Sequence, residues 1–215
     1  QGRLPPGNPR RTGHVRGAVR GDQRPTHRNT SWDEEKFEVA AQRWADLSEG
    51  GYGVSLLNDC KYGHDALGNV LRLTLLRGPE YPDPEADLGE HEFTYSLLPH
   101  EGDWRQGGTV QQAWQLNVPL FAVPTDRQQS SVCFMRVDGP AIVETVKPAE
   151  DGRGDILRLY EPYGSRGRVT VEINFPVSEV RECNLVEEDG TAADFAEGVL
   201  EFDIRPFEIK TFRLV

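Results

Sequence analysis

The chain has 215 residues, which is enough for one large domain or two small ones. Its 35 acidic residues outnumber its 24 basic ones, so the formal net charge is −11. No apolar run approaches the roughly 20 residues that span a bilayer, and we therefore expect no membrane segment. An acidic surface repels phosphate backbones, so we expect no nucleic-acid binding by the body of the chain.

The first residues differ in composition from those that follow. Residues 1–31 contain seven arginines and one acid, Asp22, a net charge of +6, which leaves −17 for residues 32–215. Residues 1–23 are rich in Gly and Pro and contain few apolar side chains, so they bury too little surface to offset the entropy of ordering. We assign them as a flexible Arg/Gly/Pro arm, and the alternative is an edge strand that awaits a partner.

Residues 24–120 show short apolar segments separated by Gly, Pro and Asp, which is typical of an all-β unit. In residues 69–77, Leu71, Leu73 and Leu75 alternate with polar side chains, the pattern of a half-buried strand. The other strand-like segments of this half are FEVAAQRWADLSE (37–49), YGVSLLND (52–59) and HEFTYSLLP (91–99).

Two segments of the first half are predicted not to be strands. Three prolines and five acids in residues 78–90 favour a long exposed loop. Residues 108–117 have the one spacing that is compatible with a helix, which Val118 and Pro119 would end.

The second half also favours strands. Residues 117–130 contain two prolines and end in polar residues, so we place a linker at residues 121–130 and a second β unit at residues 131–215. Its strand-like segments are SVCFMRV, AIVETV, DILRLYE, RVTVEINF, EVRECNLVEE and VLEFDIRPFEIKTFRLV.

The sequence does not indicate a metal or nucleotide site. The five histidines stand singly, without an H-x-H or H-x-x-x-H pair. The alternation of Asp83, Glu85 and Asp87 lacks the glycine that a calcium loop needs at its sixth position, where Leu88 stands. Nucleophile-elbow and phosphate-loop motifs are also missing. We therefore expect no metal ion, cofactor or catalytic residue in this chain.

The cysteines point to a reducing compartment. Cys60, Cys133 and Cys183 are far apart and form no C-x-x-C pair, so neither a disulfide framework nor a zinc knuckle is indicated. The first residues also lack the apolar core of a signal peptide. We therefore expect a cytoplasmic protein.

The densest polar cluster is LLNDCKYG, which directly follows a predicted buried strand. Its Asn58, Asp59, Lys61 and Tyr62 would stand at the rim of a sheet, where β folds display ligand-binding side chains. The alternative is a surface turn in which Asp59 and Lys61 pair with each other.

A second cluster is RPTHRNTSW, residues 24–32. Its Pro25 favours extended backbone, and its Trp32 offers a large face for burial or for stacking on a sugar. Trp104 is another candidate for sugar stacking. In a β protein, however, a tryptophan is more often part of the core than a binding platform.

Several of these segments together resemble the C-terminal β-sandwich region of family 38 glycoside hydrolases, the α-mannosidases, in their bacterial and vacuolar branch. The resemblance runs from Arg24 to Val215 and is densest in NTSWD, WADLSE, LLNDCKYG and LRLTLLR. It implies an all-β fold of two packed β-sandwich units, the first a partial supersandwich and the second a small sandwich. The family pattern also has strands before residue 24, where this chain has the arm.

The resemblance further implies a role. Family members are retaining enzymes that remove terminal α-mannosyl residues, and their nucleophile and zinc ligands belong to a catalytic domain that precedes this region. The chain would then be an accessory region, inactive alone, with that catalytic domain and mannose-containing glycans as partners. Zinc is expected in the catalytic domain and not here. Asn58, Asp59, Lys61 and Tyr62 would contact mannose hydroxyls from the pocket wall.

Two hypotheses from other classes compete with this one. A freestanding carbohydrate-binding module would use Trp32 or Trp104 as its stacking face. A purely structural β unit would serve to form oligomers.

Overall fold

The chain divides into two units, residues 1–121 and residues 122–215. Each contains two antiparallel sheets and at most short helices, so the predicted all-β fold is confirmed. No helix in the described ranges is long and apolar enough to cross a membrane. The computed structural model describes residues 12–16, 21–126, 131–188 and 190–215.

The described part of the first unit has two sheets. Its strands are β1 (Thr12–Arg16), β2 (Gly21–Pro25), β3 (Val39–Ala40), β4 (Trp44–Glu49), β5 (Tyr52–Asn58), β6 (Gly63–Leu67), β7 (Val70–Leu73) and β8 (Tyr95–Glu101), and its helices are α1 (Ser31–Glu35) and α2 (Thr109–Asn117). A five-stranded sheet has the order β2-β1-β4-β5-β8, and a three-stranded sheet has the order β3-β6-β7.

Local sequence signals account for several of these boundaries. Helix α2 coincides with the predicted helix, and Gly108 precedes it with a φ of 65°, which glycine adopts without steric cost. The predicted loop at residues 78–90 contains neither helix nor strand. The strand predicted at 69–77 is shorter, because β7 ends at Leu73, and the strand predicted at 91–99 begins later, at Tyr95.

Part of the predicted flexible arm is sheet. Strand β1 pairs with β2, with Thr12 opposite Pro25, and also with β4, with Thr12 opposite Ser48. Composition did not reveal these strands because ladder hydrogen bonds are made by the backbone and do not require apolar side chains. Residues 1–11 and 17–20 of the arm, and residues 127–130 of the predicted linker, lie outside the described residues.

One face of the five-stranded sheet carries a buried polar network centred on Asp46 of β4. His100 Nε2 of β8 lies 2.8 Å from Asp46 Oδ1, and Ser55 Oγ of β5 donates to the same oxygen at 2.8 Å. Ser48 Oγ donates to the other carboxylate oxygen. Thr109 Oγ1, on the first turn of α2, lies 2.7 Å from Ser55 Oγ. The network therefore ties three strands and α2 to one carboxylate.

Apolar contacts cover both faces of the same sheet. On the α2 side, the buried rings of Trp44 and Trp104 lie 4.9 Å apart, centroid to centroid. On the opposite side, the buried Ala45 packs with Val39 of β3 and Leu71 of β7, which brings the three-stranded sheet over β4. Strand β4 is therefore buried on both sides, which is why its side chains do not alternate between buried and exposed.

The second unit is a small sandwich. Its strands, in the described part, are β9 (Met135–Asp138), β10 (Ile142–Pro148), β11 (Asp155–Tyr160), β12 (Gly167–Ile173), β13 (Val180–Cys183), β14 (Thr191–Ala192), β15 (Asp194–Ala196), β16 (Val199–Ile204) and β17 (Ile209–Leu214). Its two sheets have the orders β10-β11-β17-β13-β14 and β15-β16-β12-β9.

Alternating residues form the core of this sandwich. Val169, Val171 and Ile173 of β12 are buried and alternate with polar residues, as expected for a strand with one face in a core. Phe202 of β16 and Phe212 of β17 join the two sheets, with ring centroids 4.8 Å apart. The inner faces of both sheets thus contribute to a single core.

A buried carboxylate organises one end of the second unit. Glu161 is fully buried and accepts hydrogen bonds from the backbone N–H groups of Tyr163, Gly164 and Phe207 at 2.8–3.0 Å. Ser165 Oγ donates to it as well, at 2.8 Å. Hydrogen bonds to a charged acceptor are among the stronger ones, so Glu161 ties the turn after β11 to the turn between β16 and β17.

We predict that Gly53→Ala lowers the free energy of unfolding by about 1–3 kcal/mol, because the added methyl group overpacks a closed site. A Cβ at this position would lie 2.3 Å from His100 Cε1 and 2.9 Å from Ser48 Cβ. The matched control is Gly51→Ala, where no heavy atom lies within 4 Å of the added carbon. Urea denaturation of the two variants measures the difference, and equal midpoints would contradict the packing of His100 described here.

Candidate functional site

A cavity of about 520 Å³ lies in the first unit, at the end of the three-stranded sheet where β6 begins and the chain leaves β7. Its volume is in the range of small-molecule sites, roughly 300–1,000 Å³. The polar side chains that line it belong to Glu38, Lys61, Tyr62, Thr74, Arg77 and Asp87.

Glu38 has two partners among the residues that line this cavity. Thr74 Oγ1 donates to Glu38 Oε1, and the Arg77 guanidinium pairs with Glu38 Oε2. Gly63 makes this approach feasible, because a Cβ there would lie only 2.7 Å from Glu38 Oε1. Sequence reasoning missed Glu38, since it belongs to no motif and meets Thr74 only through the pairing of β3, β6 and β7.

Asp87 connects the long acidic loop to the cavity. Its Oδ2 accepts hydrogen bonds from the N–H groups of Gly78 at 3.0 Å and Arg77 at 3.3 Å. These two backbone donors hold the pKa of Asp87 below its ordinary value, so the carboxyl stays ionised. Asp87, the last acid of the alternating segment, therefore fixes the loop of residues 78–90 by hydrogen bonds.

Lys61 and Tyr62, two of the four predicted pocket residues, both line the cavity. The Lys61 ammonium lies 5.1 Å from the centre of the Phe93 ring, within the range of a cation–π contact. Tyr62 is 43% exposed. Together with Glu38, Arg77 and Asp87, these side chains offer both donors and acceptors with balanced charge, which suits an uncharged ligand that carries several hydroxyl groups.

The other two predicted residues do not line the cavity. Asn58 is fully buried in β5, where its Nδ2 contacts Ala41 O at 3.5 Å, and the backbone carbonyl of Asn58 accepts from Asn117 Nδ2 at 3.0 Å. Asp59 accepts the N–H of Thr94 at 2.8 Å and donates its own N–H to Thr94 O at 3.2 Å. Both residues connect segments of the scaffold.

The Asp59 carboxyl is held by its hydrogen bonds. Burial raises its pKa, but the hydrogen bonds from Cys60 and Thr94 outweigh that effect and leave the pKa below its ordinary value. Among the described residues, Asp59 forms no ion pair with Lys61, which was the alternative considered for this turn.

The two candidate stacking residues lie in opposite environments. Trp104 is 1% exposed and packs on Trp44, so its face is not available to a ligand, and the general preference of tryptophan for the core prevails. Trp32 is 76% exposed on α1, a short helix capped by Thr30 and Asp33. A stacking role therefore stays a prediction for Trp32 alone.

His64 is a buried titratable group that directly follows the predicted polar cluster LLNDCKYG in the sequence. It stands on β6, next to the cavity-lining Gly63, and is fully buried. Its Nδ1 lies 3.1 Å from Tyr62 O, whereas its Nε2 has no hydrogen-bond partner among the described residues. Burial lowers the pKa of His64, so the folded chain keeps this imidazole neutral.

The described residues offer no cluster that could hold a zinc ion. Across the ranges that the structure describes, no three His, Cys, Asp or Glu side chains lie close enough together to hold a metal ion. A zinc site requires such a cluster, usually of three or four ligands. We therefore assign no zinc-dependent step to this chain.

Two family matches cover most of the chain. Residues 21–85 match the glycosyl hydrolases family 38 C-terminal domain, and residues 140–212 match the glycosyl hydrolases family 38 C-terminal beta sandwich domain. These two matches fall in the first and second units, respectively. The chain belongs to glycosyl hydrolase family 38, as part of its C-terminal region.

Curated relatives extend the match to almost the whole chain. Alpha-mannosidase 2C1 of Homo sapiens is 45% identical over 201 residues, Alpha-mannosidase G of Dictyostelium discoideum is 40% identical over 204, and Alpha-mannosidase of Saccharomyces cerevisiae is 34% identical over 217. These matches cover 89–90% of this chain but only 19–20% of each relative. The chain therefore spans about a fifth of the length of the relatives it matches.

Solved structures share the fold. An alpha-mannosidase from Enterococcus faecalis V583 superposes with a TM-score of 0.75 at 22% identity, covering 95% of this chain and 24% of that one. A second Enterococcus faecalis protein of glycosyl hydrolase family 38 gives a TM-score of 0.72 at 21% identity.

We predict that the free energy of unfolding decreases as the pH drops, partly because of His64. Since burial lowers its pKa in the folded chain, the unfolded chain binds a proton at higher pH, and stability is lost as the pH drops below histidine's usual value of about 6.5. The free energy of unfolding should differ less between about pH 7.5 and about pH 5.5 for His64→Leu than for the unmodified chain. His91→Asn, at an exposed histidine, is the control. An unchanged difference in His64→Leu would show that His64 is not the group responsible.

Proposed function

We propose that this chain supports the catalytic domain of a family 38 α-mannosidase, an enzyme that hydrolyses terminal α-mannosyl residues of glycans. The observation that carries the proposal is the 45% identity to a protein named alpha-mannosidase across 90% of the chain. We nominate no catalytic residue here, and zinc and the nucleophile are expected in the catalytic domain. The chain alone is therefore expected to be inactive.

The outer face of β8 is proposed as the docking surface for that domain. Among the described residues, strand β8 is the last strand of its sheet, so within them part of its backbone lacks a strand partner on one side. Tyr95 and Leu97 point outward from it and are 53% and 66% exposed. Neighbouring exposed apolar side chains on a sheet edge commonly mark an interaction surface.

The cavity beside Tyr62 is proposed to form part of the wall of the substrate pocket. Its balanced charges and hydroxyl groups suit a sugar better than an anion. Lys61 and Tyr62 would contact mannose hydroxyls, whereas Asn58 and Asp59 would hold the loop in place through the contacts described above.

A reducing compartment such as the cytoplasm is the proposed location. Cys60 and Cys133 are exposed, where they would be open to oxidation in a secretory compartment.

A carbohydrate-binding module is a second candidate, favoured by the exposure of Trp32. Titration of the chain with mannobiose addresses it. Millimolar binding that Trp32→Ala abolishes and Trp114→Ala preserves would support this function, whereas heats equal to those of dilution would reject it.

The main proposal is tested by a chimera in which this chain replaces the matching region of the human α-mannosidase. We predict hydrolysis of an aryl α-mannoside by the chimera and none by the chain alone. Tyr62→Phe and Lys61→Ala should each raise KM by about tenfold, the effect of losing a substrate hydrogen bond. Tyr52→Phe, which removes a hydroxyl group outside the cavity, should leave KM unchanged.

The outcomes of this experiment separate the two parts of the proposal. A folded but inactive chimera would contradict the supporting role. An active chimera whose KM is unaffected by Tyr62→Phe and Lys61→Ala would contradict only the assignment of the pocket wall.

A further inference from the structure

A second, smaller cavity lies in the first unit where β2 leads towards α1, within the motif RPTHRNTSW. Its volume is about 200 Å³, below the roughly 300–1,000 Å³ of sites for drug-sized ligands. The proposed function does not use it. The residues that line it are Gln23, Arg24, Pro25, His27, Arg28, Asp33, Lys36 and Ala66.

The lining is basic in a chain whose net charge is −11. Arg24, Arg28 and Lys36 carry positive charge at neutral pH, whereas Asp33 is the one carboxylate in the lining. Like charges around a small concave space repel each other unless an anion or water neutralises them. This concentration of positive charge therefore needs a physical explanation.

The Asp33 carboxylate does not supply the neutralising charge directly. Its Oδ2 accepts the N–H groups of Asn29 and Thr30, both at 3.1 Å, in the capping box of α1. The hydrogen bond with the Thr30 side chain, followed by these backbone donors, lowers the pKa of Asp33. Among the described residues, Asp33 forms no ion pair with Arg24 or Lys36.

One part of the wall, around Arg28, is fixed before any ligand arrives. Arg28 Nη2 lies 2.6 Å from Asp65 Oδ1, and Asp65 also pairs with Arg72. The carbonyl of Thr26 accepts the N–H of Gly68 at 2.6 Å, which attaches this segment to the turn between β6 and β7. A preorganised site loses less entropy when it binds, so a small ligand can be held with few contacts.

We propose that this cavity binds a phosphate group, either as inorganic phosphate or as the phosphate end of a small monoester. Arginine presents a planar fork of donors that matches two phosphate oxygens, and lysine adds a mobile point charge. Arg24 and Lys36 would make the contacts, and Arg28, held by its ion pair with Asp65, would form a fixed part of the wall. The volume admits the phosphate group and leaves the rest of a monoester outside.

The experiment is an NMR titration of the full 215-residue chain with inorganic phosphate and, separately, with mannose 6-phosphate. Both should shift the amide signals of residues 23–36 and saturate in the millimolar range. Binding should be weaker at higher salt because exposed charges are screened. Arg24→Gln and Lys36→Gln should each weaken binding by about tenfold, the loss expected for one charge-assisted contact. Arg166→Gln, an exposed arginine in the other unit, is the charge-matched control and should bind as the unmodified chain does.

Three results would overturn the proposal. The first is the absence of saturation at about 20 mM phosphate, because a specific site with millimolar affinity would be nearly saturated at that concentration. The second is equal weakening by Arg166→Gln, which would indicate a general charge effect. The third is equal binding of acetate, which would assign the cavity to carboxylates. Because the titration measures binding to the isolated chain, its result is independent of whether the chimera is active.

Discussion

The buried Asp46 carboxylate is the constraint on which the first unit depends. Ser55 donates its hydroxyl hydrogen to Asp46 Oδ1, and His100 Nε2 lies 2.8 Å from the same oxygen. Thr109 is then the donor to Ser55, which fixes the first turn of α2. A buried polar network of this kind stabilises a fold only when every member is satisfied, so it specifies one arrangement of β4, β5, β8 and α2.

This constraint also determines which side chains reach the outside. Because side chains alternate along a strand, drawing His100 inward turns Tyr95 and Leu97 of β8 towards solvent. Gly53 and Gly107 leave the space that the His100 ring occupies, since a Cβ at either would lie within 2.4 Å of a ring atom. The exposed apolar face and the buried polar face of β8 are therefore two results of the same packing.

Local patterns in the sequence predicted the elements that local physics determines. Alternating valines and isoleucines indicated β12, and Pro119 marked the end of α2. Strand β4 was harder to interpret, because it is buried on both faces and its polar Asp46 points into the core. Periodicity reports burial on one face, so it does not identify a polar residue whose partners come from two other strands.

The candidate site was predicted in part for a similar reason. Lys61 and Tyr62 lie in a dense motif, so the sequence indicated them, whereas Glu38 and Asp87 join them only through strand pairing and a loop that returns to the cavity. Asn58 belongs to the same motif but is the last residue of β5, so its side chain is still buried in the sheet. A motif thus identified the region, whereas the end of β5 at Asn58 and the hydrogen bonds between Asp59 and Thr94 determined which of its residues face the cavity.

The central claim is that the outer face of β8 receives the catalytic domain of a family 38 enzyme. Hydrogen exchange measured by mass spectrometry, on the isolated chain and on the active chimera, tests it most directly. Slower exchange of residues 95–101 in the chimera is the predicted result, because docking would shield this strand from solvent. An active chimera in which these residues exchange as fast as in the isolated chain would contradict the claim.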